Sequence, residues 1–375
     1  MPAPPVIAAP TNMADLRPAA RLPLLLLGML SLVAGVLAGL ARLGWVTPDI
    51  TAEAASGHGV LMISAFLGTV ISLERAVALA RRWAYLAPLV AGFSGLALLA
   101  GAPLLLPQVL AIAAATIMVG ASLQVLKRVF ATFTVVLVIG AACWLVGSLV
   151  WLLDGSLGAV VPWWLGFLIL TIAGERLEMT RFLPTPPGAA KLFALIVTII
   201  LVGAAIAFWR LAGGLALFSA GMLALALWLL RYDLARRNVH QQGLTRFIAV
   251  CLLSGYGWLA LAGGLGLAGG LLPGHPWRDA TLHGVCLGFV FSMILGHAPI
   301  IFPAVVRVKI PYTPVLYLPL VVLHGSLVLR VCGSLADRFP LRHLGGLLNG
   351  VALALFIVTV VVSVIRGRKE TPGGR

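Results

Sequence analysis

Residues Leu282 to Val306 read LHGVCLGFVFSMILGHAPIIFPAVV. The stretch contains no Asp, Glu, Lys or Arg, and as a helix rising 1.5 Å per residue it is long enough to cross the ~30 Å hydrocarbon core of a bilayer. It nevertheless carries two histidines, His283 and His297. Ionisable groups inside an apolar span cost about 2.5–3.5 kcal/mol on insertion scales and usually face the bundle interior. A span that keeps two of them is a membrane helix with something to hold.

The rest of the chain agrees with that reading. Of 375 residues, 61% are hydrophobic and 10% charged, and the mean hydropathy of +1.09 lies outside the soluble globular range. Apolar runs separated by charged or Pro/Gly-rich breaks predict twelve spans, at about 22–43, 58–80, 84–106, 108–126, 132–153, 161–182, 190–210, 213–231, 247–270, 280–304, 314–332 and 343–365. The expected fold is an all-α polytopic membrane protein. Residues 1–21 read as a disordered cytoplasmic tail and not a signal peptide, 22–365 as a single membrane domain, and 366–375 as a basic cytoplasmic tail.

The net charge of +15 is no sign of a nucleic-acid partner. Most of the 26 Lys and Arg fall at the termini and the loops on one side, among them Arg81, Arg82, Lys127, Arg128, Arg236, Arg237, Arg307 and Lys309. That is the positive-inside pattern, which predicts both termini in the cytoplasm. The partner it implies is the lipid bilayer. Cys143, Cys251, Cys286 and Cys332 lie inside predicted spans without CxxC spacing, and read as small apolar residues rather than disulfides or zinc ligands. Trp45, Trp144, Trp151, Trp163, Trp164 and Trp277 fall toward the predicted outer ends and suggest an aromatic belt.

The ionisable residues sort into two layers. The outer one holds His58, His283 and His343 at the starts of spans. His58 and His283 share the local sequence His-Gly-Val. Two imidazoles at matched depth on facing helices can clamp a haem iron, and the glycine would let a flat macrocycle approach the helix; the alternative is wetted helix-start histidines. The inner layer holds Glu74, Arg75, Glu175, Arg176, Glu178, Arg181 and His297. These read either as ion pairs fixing helix packing or as a proton path or ion site.

An ungapped repeat runs through this layer: Ile71-Ser72-Leu73-Glu74-Arg75, Ile172-Ala173-Gly174-Glu175-Arg176 and Ile294-Leu295-Gly296-His297-Ala298. It recurs every four spans and suggests pseudo-threefold architecture. His283 and His297, fourteen apart, would share a helix face about 40° wide, but Ser72 stands fourteen after His58, so at most one bis-histidine haem is expected. His324, near midplane of its span, has either a metal or proton role or a hydrogen-bonded packing role.

A histidine opening the second span, a tenth span with two histidines ending Leu-Gly-His, and an eleventh ending Leu-Val-Leu-Arg-Val resemble the NnrS family, and more distantly subunit I of the haem-copper oxidases. The resemblance implies a haem- and copper-containing protein of the bacterial cytoplasmic (inner) membrane, linked to nitric-oxide or nitrosative-stress handling, with a redox partner or small gaseous ligand. It implies His58 and His283 as ligands of a b-type haem and His297 as either a second metal ligand or a histidine with another functional role. Spans six and seven carry no histidine, so the copper cluster of the oxidases is absent or replaced. The other reading is a cofactor-free secondary transporter using Glu74, Arg75, Glu175, Arg176 and Glu178.

Overall fold

A computed structural model describes residues 15–154, 158–180 and 186–369. Among these there are helices and no strands. Eleven helices are long and apolar enough to cross a membrane: α1 (Pro18–Arg42), α2 (Val60–Leu79), α3 (Arg82–Leu99), α4 (Leu105–Arg128), α5 (Thr132–Asp154), α7 (Gly188–Ile206), α8 (Leu211–Tyr232), α9 (Gly243–Gly270), α10 (Arg278–Val306), α11 (Pro314–Leu335) and α12 (Phe339–Gly367). The remaining predicted span forms α6, Val161–Thr180. Three charges within four residues, Glu175, Arg176 and Glu178, are what distinguish it from the others.

Two observations make α6 a crossing like its neighbours. At 20 residues it is about 30 Å long. It also packs antiparallel along α5 at three levels: a side chain at Gly147 would strike Trp164, one at Gly140 would meet Thr171, and one at Gly174 would meet Leu137 and the Phe133 carbonyl. The same use of glycine joins α7 to α8, where Gly203 lies on the Phe218 backbone and Gly214 on that of Ala207. Lipid offers no hydrophobic drive between helices, so close backbone approach at small residues supplies the dispersion contact that holds them.

Several details differ from the sequence expectations. Trp144, Trp151 and Trp164 are buried and do not form a belt. Trp144 stacks on Phe167, with centroids 5.2 Å apart, and donates to Ser64 Oγ at 3.1 Å. An indole buried in a bundle needs an acceptor, and Ser64 provides it. All four cysteines are free, with Cys143 and Cys251 buried but Cys332 exposed. Helix α1 begins at Pro18, inside the segment read as tail. Its Arg21 is buried, held by the Leu16 and Val305 carbonyls at 3.0 Å each and by Asp15 at 2.6 Å. Helix continues to Lys369, past the predicted boundary at 366. Residues 1–14 and 370–375 of the predicted tails lie outside the described residues, as does Arg181.

Helices α2 and α10 share an irregularity. A π-helical segment, Val60–Leu67, starts α2 two residues after His58, and another, Gly284–Phe291, starts one residue after His283. Both have eight residues. Wide i→i+5 turns of this kind are rare and concentrate at functional sites. They also alter the phase of the helix, so the 40° face expected of His283 and His297 on a regular α-helix does not apply to α10.

Candidate functional site

His58 and His283 come together, with ring centroids 6.2 Å apart and planes inclined by 23°. Eight residues further along each helix, Phe66 and Phe291 repeat the pairing at 5.9 Å. Matched pairs at two levels mean that α2 and α10 run parallel. Parallel orientation requires an even number of connections between crossings, and there are eight with α6 counted as a crossing but seven without it.

Each imidazole is oriented through Nδ1. That of His58 lies 2.7 Å from the Gly35 carbonyl of α1, and that of His283 lies 2.8 Å from the Asp279 carbonyl one turn back. A carbonyl only accepts, so Nδ1 carries the proton and Nε2 keeps its lone pair. Among the described residues neither Nε2 makes a hydrogen bond. The seat of His58 is the pair Gly35 and Gly39, because a Cβ at Gly39 would come within 2.8 Å of the ring. The sequence held this signal as a small-xxx-small spacing on α1, but the spacing is too common in membrane helices to be read as a histidine seat. Of the two glycines following the histidines, Gly59 faces open space, whereas Gly284 packs 3.3 Å from Ala262.

Behind His283 the polar groups form a chain. Asp279 Oδ1 stands 3.3 Å from His283 Nδ1. Arg330 of α11 donates to both carboxylate oxygens, Nε to Oδ2 at 2.8 Å and Nη2 to Oδ1 at 2.7 Å. Its Nη1 reaches Asn349 Oδ1 of α12 at 3.3 Å, and Asn349 Nδ2 donates to Ser326 Oγ at 2.7 Å. Arg42 and Arg330 lie within electrostatic reach of His58, and Arg278 within reach of Arg42. Asp279 stands opposite Arg330, while Arg42 adds positive charge near His58. His343 sits apart, stacked on Trp45 at 4.0 Å.

The second layer is built around a partner that sequence reasoning missed. Arg176 Nε donates to Asp233 Oδ2 at 2.9 Å, and both side chains are buried. Asp233 follows α8 directly in a segment that reads as an ordinary polar loop; its Oδ1 also accepts from the Ala235 backbone at 2.7 Å. Arg176 Nη1 lies 3.4 Å from His297 Nε2, while His297 Nδ1 is bound to the Met293 carbonyl at 2.7 Å. Both ring nitrogens of His297 are therefore engaged, one of them by a cation. Tyr256, fully buried on α9, lies beside Arg176 and Asp233. The three repeat segments do approach one another: α10 touches α2 and α6, and Arg176 meets His297 directly.

Glu175 lies within electrostatic reach of Glu74, Arg75, Arg176 and Glu178. Among the described residues, neither Glu74 nor Glu175 forms an ion pair within 4 Å, and Arg75 Nε is buried without a hydrogen bond. His324 is elsewhere. Its Nδ1 accepts from Trp258 Nε1 at 2.9 Å, and its Nε2 meets Ser254 Oγ at 3.0 Å. With both nitrogens bound to α9, His324 clips α11 to that helix. Among the described residues no group of three or more His, Cys, Asp or Glu is placed to hold a metal ion, which leaves the two-histidine arrangement as the candidate.

The fold and site define a multi-pass helical membrane protein with a pair of oriented histidines between parallel helices. The chain belongs to the family described as a domain of unknown function, DUF8744, whose model matches residues 21–365. No curated protein matches the sequence.

Proposed function

We propose that this is a membrane haem protein in which His58 and His283 bind one b-type haem as axial ligands, in the role of electron transfer or redox sensing. The observation that carries the reading is their separation. An imidazole nitrogen lies about 2.0–2.1 Å from a bound transition metal and about 1.2 Å from its own ring centre, so two imidazoles in line through one metal have centroids about 6.4 Å apart. The value here is 6.2 Å. Offset aromatic pairs also span about 4.5–7 Å between centroids, so the separation counts together with the two Nε2 atoms that make no hydrogen bond among the described residues. The Nδ1 hydrogen bonds fit the same reading, since histidine ligands usually donate their other ring N–H to a carbonyl or carboxylate.

The positive charge of Arg42 and Arg278 suits the two carboxylates of a haem, which Arg binds in charge-assisted fashion. Bound there, haem supplies a one-electron couple. His58 and His283 would hold it from two helices through their Nε2 atoms, an arrangement suited to electron transfer. The resemblance to NnrS proteins and to oxidase subunit I, including a pseudo-threefold arrangement in the cytoplasmic membrane, agrees with this assignment. His297 and His324, with their nitrogens engaged, are given no metal. Glu74 and Glu175 are assigned to proton uptake coupled to the electron.

The test is an absorption spectrum of the purified full-length protein after expression with haem supplementation. A Soret band that shifts on reduction, and that is lost in His58→Ala and in His283→Ala, is the expected outcome. A colourless wild-type preparation overturns the proposal and leaves the transporter reading, for which loss of solute uptake in Glu74→Gln is the check.

A further inference from the structure

We infer that Asp279 is a positioning residue that makes the two histidines unequal as ligands, acting through His283 while the Arg330–Asn349–Ser326 chain holds it in place. The inference rests on the haem reading above. His58 Nδ1 has a single neutral acceptor, the Gly35 carbonyl at 2.7 Å. His283 Nδ1 likewise has one, the Asp279 carbonyl at 2.8 Å, but the Asp279 carboxylate stands beside it as well, at 3.3 Å. A carboxylate beside the ligand N–H draws on its proton, raises the basicity of the opposite nitrogen and stabilises the more oxidised metal.

The carboxylate is fixed rather than mobile. The planar guanidinium of Arg330 engages both its oxygens, the two-point geometry that only arginine provides. Arg330 is itself braced across α11 and α12: Nη1 reaches Asn349, Asn349 reaches Ser326, and Ser326 Oγ donates to the Leu323 carbonyl at 3.0 Å. Space for the arginine comes from Gly345, where a Cβ would fall 2.6 Å from the Arg330 backbone nitrogen. Each guanidinium nitrogen of Arg330, and Asn349 Nδ2, donates at least one hydrogen bond within the chain, and such linked bonds rigidify a buried polar network. A pure helix clip would need the Asp279–Arg330 pair but not its placement against His283. The acid sits four residues before the ligand, where the helix turn brings it to Nδ1.

Arg330 and Asp279 thus act on the ligand with opposite signs. Removing the negative group lets the imidazole become a weaker base, whereas removing the positive group leaves the carboxylate, still one turn back from His283 on the same helix, with its charge uncompensated beside Nδ1–H. The test is a redox titration of the haem absorption in the haem-loaded, full-length protein. Asp279→Asn is expected to retain a six-coordinate spectrum with a more positive midpoint potential, Asp279→Glu to return part of the way, and Arg330→Gln to shift the potential negative. If one variant does not accumulate, the other still gives a signed answer. Loss of a merely structural clip would move both variants the same way or not at all, and either result overturns the role of Asp279 while leaving the haem assignment standing. A wild-type protein that takes up no haem removes the foundation of both, so the two failures are distinct.

Discussion

His58 and His283 lie 6.2 Å apart between ring centroids, on helices whose next matched pair, Phe66 and Phe291, lies 5.9 Å apart. Two chain segments more than two hundred residues apart are therefore in register over at least eight residues, each with a π-helical segment of the same length just after its histidine. A third π-helical segment, Gly266–Gly270, lies in α9, so it is the matched position beside the two histidines, and not the wide turn itself, that sets α2 and α10 apart.

The seat of His58 gives a first prediction. A side chain larger than hydrogen at Gly39 would collide with the imidazole at 2.8 Å, so Gly39→Val should displace the ring and abolish the haem spectrum without unfolding the bundle. Gly257→Ala, on a helix face where a Cβ meets nothing within 4 Å, should leave the spectrum unchanged. Equal spectra in the two variants would remove Gly39 from the site.

The buried Arg176–Asp233 pair should behave asymmetrically. Removing one member strands a charge, so Arg176→Met or Asp233→Leu alone is expected to lower stability by about 3–5 kcal/mol. The double variant should recover most of it, because paired apolar replacements avoid the desolvation of both ions. Denaturant unfolding in detergent measures this, and additive losses would contradict a buried pair.

His324 should prove structural. Its two hydrogen bonds to α9 are worth about 0.5–1.5 kcal/mol each, with membrane values toward the low end. A double-mutant cycle between Trp258→Phe and His324→Leu should return a coupling energy of that order, with no change in haem content or metal analysis. Loss of a metal from His324→Leu would show that its nitrogens serve another purpose.

The carboxylates of the second layer give a pH-dependent prediction. If Glu74 and Glu175 take up a proton when the haem is reduced, the midpoint potential falls as pH rises, because reduction then consumes a proton that becomes scarcer. Glu175→Gln should flatten that dependence while leaving the absorption maxima in place. A potential independent of pH in the wild type would separate these residues from the redox site.

The candidate pair was legible in the sequence because His-Gly-Val occurs twice at the start of predicted spans, and because burying an ionisable group in lipid has a cost that singles it out. Arg176 was found by the same logic. Its partner was not, since Asp233 stands just beyond α8, where a carboxylate carries no such penalty and so no signal. The π segments were equally hidden: their residues, VLMISAFL and GVCLGFVF, are apolar runs that any membrane helix would accept.

Composition and hydropathy by themselves determined that this chain is a bundle of membrane-crossing helices, because the bilayer admits so few structures that satisfy the backbone. They also placed its ionisable residues in two layers, since depth along a helix is nearly a count of residues. Tertiary structure alone decided which members of a layer meet. It brought the rings of His58 and His283 to 6.2 Å between centroids, turned both Nδ1 atoms onto carbonyls, and gave Arg176 to Asp233 and His297. Those outcomes depend on helix rotation and close approach at glycines such as Gly39, and in lipid these are set by packing between distant segments rather than by any local pattern.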